Sequence, residues 1–318
     1  MSKVNTFIVP IIQYDNIGRF IQTLYRHTPD NFNLIVIDQA PFNAVPTVTW
    51  QPEQVHLWIK SYRNLGFSKA MNTGIKLAQT EYITLCNDDV EFMNRRWWQG
   101  IVDTFNQDHH VIAVNPMSPK EGAWGYGLTV ENKETWDPPQ EYVRGEDPEA
   151  VYPKKKDGTG LFYKETFSEE DYDFLINEHP RYRKDSVVDA IAMWCTVFKK
   201  SGLDKIGLLD ERFYPGGGED YDMCARAYSC AWPIAREICD LDYHYRMISS
   251  TKSWVWHHWG SSKNKRLKNV EDRLFTSRNS WNNNDELWPN GFDVWGHKNT
   301  ENGKIPLKRT LEVFTEEL

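Results

Sequence analysis

The chain has 318 residues, enough for one large domain or two smaller ones and for a substantial buried core. With 40% hydrophobic and 26% charged residues it has the make-up of an ordinary globular protein, and its formal net charge of −8 argues against a general nucleic-acid-binding surface, because non-specific affinity for phosphates comes from Lys and Arg. Its five cysteines (Cys86, Cys195, Cys224, Cys230 and Cys239) form none of the close pairs of zinc ribbons or redox motifs, no charged-then-apolar leader follows Met1, and no apolar run approaches membrane-spanning length, so a reduced, cytoplasmic protein without a transmembrane segment is expected. Fourteen Trp, fifteen Tyr and fifteen Phe suit carbohydrate or base stacking and suit a well-packed core equally.

Residues 4–12 are apolar and β-branched and predict a first strand. Asp15-Asn16 then reads as a helix start, and Ile17, Phe20, Ile21, Leu24 and Tyr25 fall at i, i+3, i+4, i+7 and i+8, one face of an amphipathic helix. Residues 33–38 predict a second strand, ending in Asp38, and 55–60 a third that alternates weakly. Phe67, Ala70, Met71, Gly74, Ile75 and Ala78 line one side of a second helix. It leads into Tyr82-Ile-Thr-Leu-Cys-Asn-Asp-Asp-Val90, an apolar run that closes on two adjacent carboxylates. As a buried strand it would present Asp88 and Asp89 where open α/β sheets place their ligands, which makes them candidates for a metal and a phosphorylated ligand. A polar turn closing a strand is the plainer reading of such a pair taken alone. Residues 94–105 predict a third helix and 110–114 a further strand.

Strands alternating with helices at this spacing imply βαβ units, so the expected fold class is α/β with a mostly parallel sheet flanked by helices. No Gly-x-Gly-x-x-Gly follows the first strand and no Gly-Lys-Ser/Thr loop is present, which supports neither a dinucleotide fold nor a P-loop. A metal on Asp88 and Asp89 is the remaining route to neutralising a phosphate.

From 117 to 186 the pattern breaks. Asp137-Pro-Pro139, Gly145-Glu-Asp-Pro148, Pro153-Lys-Lys-Lys-Asp-Gly158 and Ser168-Glu-Glu-Asp171 are turn-rich and charged and predict a loop-rich insertion. Periodicity returns over 187–198. Gly216-Gly-Gly-Glu-Asp-Tyr-Asp222 then joins a glycine run to three acids at a helix start, a ligand-approaching loop or simply a capped helix. His257-His258 follows Trp254-Val-Trp256, and such a pair is more often structural than metal-binding. Residues 264–281 read as helical, and the tail from 306 as one short terminal helix.

Six segments recur in a telling order: Phe7-Ile-Val-Pro10, Asp38, Arg63-Asn-Leu-Gly-Phe-Ser-Lys-Ala-Met-Asn-Thr-Gly74, Asn87-Asp-Asp-Val90, Gly207-Leu-Leu-Asp-Glu-Arg-Phe213 and Gly218-Glu-Asp-Tyr-Asp222. Together they resemble the family 2 glycosyltransferases of the GT-A fold, inverting enzymes that use nucleotide-sugar donors. The resemblance implies transfer of a hexosyl or pentosyl group from a nucleotide-diphosphate sugar, a UDP-sugar first of all, with Mn²⁺ or Mg²⁺ as cofactor. It places Asp38 against the base of the donor nucleotide, with Pro10 shaping that pocket, and Arg63, Asn64 and Lys69 near the diphosphate and ribose. It gives Asp88 the ribose or a water on the metal, Asp89 the metal itself, and one of His257 and His258 the completion of the metal shell. Asp220 matches the general base, and Glu219 would orient the acceptor.

The resemblance divides the chain into a nucleotide-sugar-binding α/β half (1–116), the loop-rich insertion (117–186), an acceptor-binding and catalytic half (187–262) and a helical C-terminal extension (263–318). Two departures stand out: Gln39-Ala-Pro41 occupies the place of the family's small Asp-Gly-Ser-type turn, and Asn87 stands where many members have another Asp. The acceptor stays open between a saccharide or lipid-linked glycan and a hydroxymethylated DNA base. Basic runs at 154–156, 181–184 and 263–268 could track phosphates, although a solvated charged face explains them more cheaply. Two other readings compete. A GT-A-like nucleotide-binding module without catalysis has no need of Asp89, Asp220 and the His pair together, and a sugar nucleotidyltransferase would carry a glycine-rich loop where this chain has Pro10-Ile-Ile-Gln-Tyr-Asp15.

Overall fold

The computed structural model describes residues 3–29, 31–44, 54–119, 125–126, 156, 164–178, 186–188, 190–211, 213–214, 216, 219–230 and 245–258. Its first half alternates as the periodicity predicts: β1 (Asn5–Ile11), α1 (Ile17–His27), β2 (Phe32–Asp38), β3 (Leu57–Lys60), α2 (Gly66–Leu77), β4 (Tyr82–Cys86), β5 (Val90–Glu91), α3 (Arg96–Gln107) and β6 (Val111–Met117). The second half adds β7 (Gly125–Tyr126), α4 (Glu169–Asn177), β8 (Ser186–Val188), β9 (Ala190–Ile191), β10 (Cys195–Lys199), α5 (Lys200–Ile206), α6 (Glu219–Cys230), β11 (Arg246–Trp254) and β12 (Trp256–His257). Eight strands form one sheet in the order β3-β2-β1-β4-β10-β6-β11-β8. Of these, β10 and β8 run against the rest, so the sheet is mostly parallel and the fold is α/β, as expected.

Each helix buries the stripe its sequence sets apart. In α1, Ile17, Phe20, Ile21 and Leu24 are buried against Phe7, Val9 and Ile11 of β1, and α3 adds Trp97, Ile101 and Phe105 to the same layer. On the opposite face, Ala70, Met71 and Ile75 of α2 share a core with Leu203 and Ile206 of α5 and Met223, Cys224 and Ala227 of α6. These two apolar layers enclose the central strands, whose Phe7, Ile8, Val9, Ile83 and Leu85 are fully buried.

The sequence reading has no counterpart for α5, β11 or the two-residue strands β5, β7 and β12, and two other elements differ from it. Ser168-Glu-Glu-Asp171, expected as turn, opens α4: Ser168 Oγ accepts from the Asp171 backbone N at 3.1 Å, and the Asp171 carboxylate accepts from the Ser168 N at 2.9 Å. That is a capping box, and three acids in the first turn favour the positive end of the helix dipole. Strand β6 runs three residues beyond the expected Val114. Pro116 is accommodated because β10 pairs only with Ala113 and Val114, so the missing N–H of Pro116 breaks no bond on that side. The helices expected over 264–281 and from 306 lie outside the described residues, as do the basic runs at 181–184 and 263–268. Among the described residues no helix is long and apolar enough to cross a membrane.

Helix α3 crosses β11 at a glycine. A Cβ at Gly100 would stand 2.2 Å from the Lys252 carbonyl oxygen and 2.5 Å from its carbon, both backbone atoms that cannot rotate away. Gly100→Ala is therefore expected to destabilise the protein by about 3 kcal/mol, the upper end of overpacking costs. Urea unfolding of the two proteins checks it, and equal midpoints would mean that α3 can slide away from β11.

Candidate functional site

Strand β1 lies between β2 and β4, so the chain order reverses there. Its pairing with β2 runs the whole way to Ile11, whereas its pairing with β4 stops at Ile8. Toward their carboxyl ends β1 and β4 therefore part, which is the topological switch point at which open α/β sheets bind ligands. Pro10 sits beyond the last β4 pair, where its missing N–H costs no bond to that strand. Across the crevice, β4 ends in the turn Asn87-Asp88-Asp89, fixed by the Asn87 N–H donating to the Trp194 carbonyl at 2.8 Å. Asp88 is partly buried and Asp89 is buried.

The His pair comes to this turn through backbone pairing. Strand β12 runs antiparallel to β5, with His257 opposite Val90 and Trp256 opposite Glu91, and the His258 N–H donates to the Asp89 carbonyl at 2.9 Å. Successive residues in extended chain face opposite ways, and the two imidazoles part accordingly. His257 Nε2 lies 3.3 Å from Asp89 Oδ1, with its ring stacked on Trp194 at a centroid distance of 4.8 Å and an angle of 5°. His258 turns instead to Glu91, its Nε2 2.6 Å from Oε1. Of the two histidines expected near the metal, His257 is the one beside Asp89.

A carboxylate oxygen and an imidazole nitrogen, both buried and 3.3 Å apart, suit a shared divalent cation. Two neighbouring ligands of an octahedral ion at about 2.0–2.1 Å stand about 3 Å apart. Behind the turn, Cys86 and Cys195 are free, buried and directly opposite across β4 and β10. Burial first, then the hydrogen bond with Cys195 and the charges of Asp89 and Asp88, pushes the Cys86 thiol well up.

Glu91 is a buried neighbour of the His pair that sequence reasoning missed. It is 4% exposed, yet it receives Arg19 Nε at 2.7 Å, His258 at 2.6 Å and the Lys164 ammonium. Burial alone would raise its pKa, but hydrogen bonds from His258 and Lys164 and the charges of Arg19 and Lys164 outweigh it and hold the carboxyl below its usual range. The one available signal was an acid flanked by Val90 and Phe92, an apolar setting in which a carboxylate needs partners.

At the other side of the crevice Asp38 ends β2 and is 2% exposed. Its Oδ1 accepts from the Ala40 N at 2.9 Å and Lys60 Nζ at 3.0 Å, and its Oδ2 from the Tyr14 hydroxyl at 2.8 Å and Trp58 Nε1 at 3.0 Å. Gln39, the departure from the family pattern, accepts the Leu65 N–H on its side-chain oxygen and so ties the loop after β2 to the start of α2. Arg63 and Asn64 are exposed, and Asn64 Oδ1 accepts the N–H of Gly66 at 2.9 Å, where a φ of 79° requires glycine. Lys69, expected at the diphosphate, has its ammonium 3.1 Å from Glu211 Oε2. Beside it Asn72 holds the Leu209 backbone in both directions, at 2.8 and 2.9 Å, so the Gly207–Phe213 motif is docked on α2.

The glycine loop reaches the same end of the sheet. A Cβ at Gly216 would lie 3.1 Å from Phe67 Cβ and 3.9 Å from Glu219 Oε1. Since α2 starts just beyond the carboxyl end of β3, the first turn of α6, with Glu219 buried and Asp220 and Asp222 partly buried, opens on the side of the sheet where Asp89 lies. Asp108, His109 and His110 also hold ligand atoms within 4.8 Å of one another, but they precede β6 at the opposite end of the sheet, and Asp108 is engaged by Arg246 at 3.1 Å and His110 at 2.7 Å.

The glycosyl transferase family 2 model matches residues 6–153. That stretch, a little under half of the chain, carries a family 2 glycosyltransferase domain. The matched residues take in β1 through the Asp88-Asp89 turn and β6, and the arrangement is that of a GT-A fold. Compared by sequence with curated proteins, the chain matches none. Similar solved structures include the mannosyltransferase PcManGT from Pyrobaculum calidifontis in complex with GDP-Man and Mn²⁺, at 15% identity and a TM-score of 0.48 over 81% of this chain and 57% of that one. GalNAc-T7 with UDP, GalNAc and Mn²⁺ is 11% identical, with a TM-score of 0.48 over 80% of this chain and 44% of that one. S. aureus TarS 1-349 in complex with UDP is 14% identical, with a TM-score of 0.42 over 80% of this chain and 60% of that one. The chain thus spans little more than half the length of the first of these.

The depressed pKa of Glu91 has a consequence for acid stability. A carboxylate whose folded-state pKa lies below its unfolded value, about 4.3, contributes stability that is present above that value and is lost as pH falls through the folded-state pKa. Glu91→Gln is expected to unfold more easily than wild type at pH 7, with the gap closing below about pH 4. Thermal melts from pH 7 down to pH 3 check this, and a gap constant across the range would show that the charge of Glu91 does not matter.

Proposed function

We propose that this protein transfers a hexosyl or pentosyl group from a nucleotide-diphosphate sugar to an acceptor hydroxyl with inversion at the anomeric carbon, in a cytoplasmic setting. The observation that carries the reading is the meeting of Asp89 and His257 at the switch point between β1 and β4, on a chain whose residues 6–153 match the family model. The nucleotide half lies along the ends of β1, β2 and β3, where Pro10, Arg63 and Asn64 line the approach, and Asp88 reaches the ribose or a water on the metal. A UDP-sugar is the first donor to test. GDP-mannose is the second, since the Pyrobaculum mannosyltransferase was solved with it.

Asp89 and His257 would hold the divalent cation, Mn²⁺ or Mg²⁺, through one carboxylate oxygen and one imidazole nitrogen. When bound, such a cation offsets the charge that builds on the departing diphosphate. Asp220 accepts the proton of the acceptor hydroxyl as that oxygen bonds to the anomeric carbon from the face opposite the diphosphate, and the bond from that carbon to the phosphate oxygen breaks with its electron pair leaving on the nucleoside diphosphate. Glu219, buried beside it, orients the acceptor. The acceptor hydroxyl belongs to a saccharide, a lipid-linked glycan or a hydroxymethylated DNA base.

Metal binding separates the two histidines. His257→Ala and Asp89→Ala are each expected to weaken Mn²⁺ binding in the presence of UDP by at least tenfold, whereas His258→Ala, which loses a contact to Glu91, weakens it far less. Calorimetric titration of Mn²⁺ into each protein reads this directly, and an equal loss in both His variants would remove the assignment of His257.

The general base is tested by turnover. Asp220→Asn keeps shape but loses the basic oxygen, so kcat is expected to fall about 10²–10⁴-fold with donor affinity nearly unchanged. Donor turnover followed by release of nucleoside diphosphate, with the product anomer assigned by NMR, decides it. Near-wild-type turnover of Asp220→Asn together with loss in Glu219→Gln would move the role to Glu219.

A further inference from the structure

We propose that Asp38 is a positioning residue in this chain and not the reader of the donor base, and that the base stacks on the open face of Tyr62. The inference rests on the donor-binding reading above and names how the nucleotide is held. A carboxylate offers about four lone-pair directions to donors. In Asp38 all of them are used, by Tyr14, Trp58, Lys60 and the Ala40 backbone, at 2.8 to 3.0 Å, with the residue 2% exposed. A base N–H could bond to Asp38 only by evicting one of these donors. The evicted group would be a buried hydroxyl, an indole N–H, a backbone N–H or the Lys60 charge, each costly to leave unsatisfied.

What Asp38 does instead is hold Lys60. The Lys60 ammonium reaches Asp38 Oδ1 at 3.0 Å, the Ala40 carbonyl at 2.7 Å and the Tyr14 oxygen at 3.2 Å, which accounts for its three protons. So fixed, it lies 5.2 Å from the centre of the Phe42 ring. Phe42 stacks in turn on Tyr62, with centroids 5.0 Å apart and planes 19° from parallel. A ladder thus runs from the buried carboxylate through the ammonium and Phe42 to a tyrosine at the surface, where Phe42 is 62% and Tyr62 89% exposed. Large aromatic rings held parallel and left open to water form a ready stacking surface.

The position of the pair selects its occupant. Phe42 follows the carboxyl end of β2 and Tyr62 that of β3, and Arg63, exposed and next in the chain, puts a cation beside the stack for the phosphates of the same nucleotide. A planar base with its charged tail beside Arg63 fits this arrangement. Stacking accepts every base, because each has a π-face, so the donor site is expected to discriminate weakly between bases.

The experiment is a calorimetric comparison of UDP, CDP, GDP and ADP, each with Mn²⁺, on wild type and on Tyr62→Ala, Tyr62→Phe and Asp38→Asn. Tyr62→Ala is expected to weaken all four nucleotides by about 5- to 100-fold, the range for loss of one stacked base, and Tyr62→Phe to keep wild-type affinity. Asp38→Asn is expected to weaken all four by a common factor, so that the UDP to GDP ratio stays at the wild-type value. A selective loss of UDP in Asp38→Asn would return Asp38 to reading the base, and unchanged nucleotide affinities in Tyr62→Ala would overturn the stacking role. The Tyr62 variants alter only an exposed ring, so they report even where Asp38→Asn fails to fold. Failure of wild type to bind any of the four would instead sink the donor-binding reading itself, and this inference with it.

Discussion

Strand β12 is only two residues long, yet its pairing with Val90 and Glu91 is the contact that turns scattered acids and histidines into a site. It carries His257 to Asp89, sends His258 to Glu91 and closes with the His258 N–H on the Asp89 carbonyl. Two ladder residues are a weak anchor by themselves, and the side chains supply the rest. Trp194 stacks on His257, Ser118 Oγ accepts the His257 backbone N–H at 3.3 Å, and Glu91 gathers Arg19 of α1, Lys164 from the segment before α4 and the His258 ring. Ring and backbone of His257 are thus both held, the kind of restraint that the proposed metal role needs.

Three buried carboxylates lie along the ends of the central strands, and the protein treats each differently. Asp38 is enclosed by four donors, one of them an ammonium, and serves internal order. Glu91 faces Arg19, Lys164 and the His258 imidazole and fastens separate elements together. Asp89 has an imidazole at 3.3 Å, a partner that can share a cation with it. Burying an ionised carboxyl is costly unless it is paired, so the kind of partner each one has is a guide to its task.

The loop after β2 shows how a departure from a family pattern can be absorbed. Gln39 has neither the size nor the charge of the usual small turn residue, and its side-chain oxygen bonds the Leu65 N–H instead. That bond joins the β2 and β3 loops, the same two that bring Phe42 and Tyr62 into their stack. Asn64 does comparable work at the start of α2, and Lys69 is drawn to Glu211 in the motif that leads to Glu219 and Asp220.

Much of the fold was legible in the sequence because its signals are local. The stripes of α1 and α2 repeat at helical spacing, and the run from Tyr82 to Cys86 is apolar with a sharp polar end, so each element's type follows from which side chains must leave water. The capping box at Ser168 is equally local, yet its charged residues crowd turns as readily as helix starts. The family motifs singled out Asp88, Asp89, Glu219, Asp220 and the His pair, since chemistry confines those positions to a few residue types. Tertiary structure alone decided which histidine faces Asp89, that Glu91 is buried among cations, and that Asp38 has no lone pair to spare. Those outcomes depend on strand register and on partners brought from distant parts of the chain, and a one-residue shift of β12 would have exchanged His257 and His258.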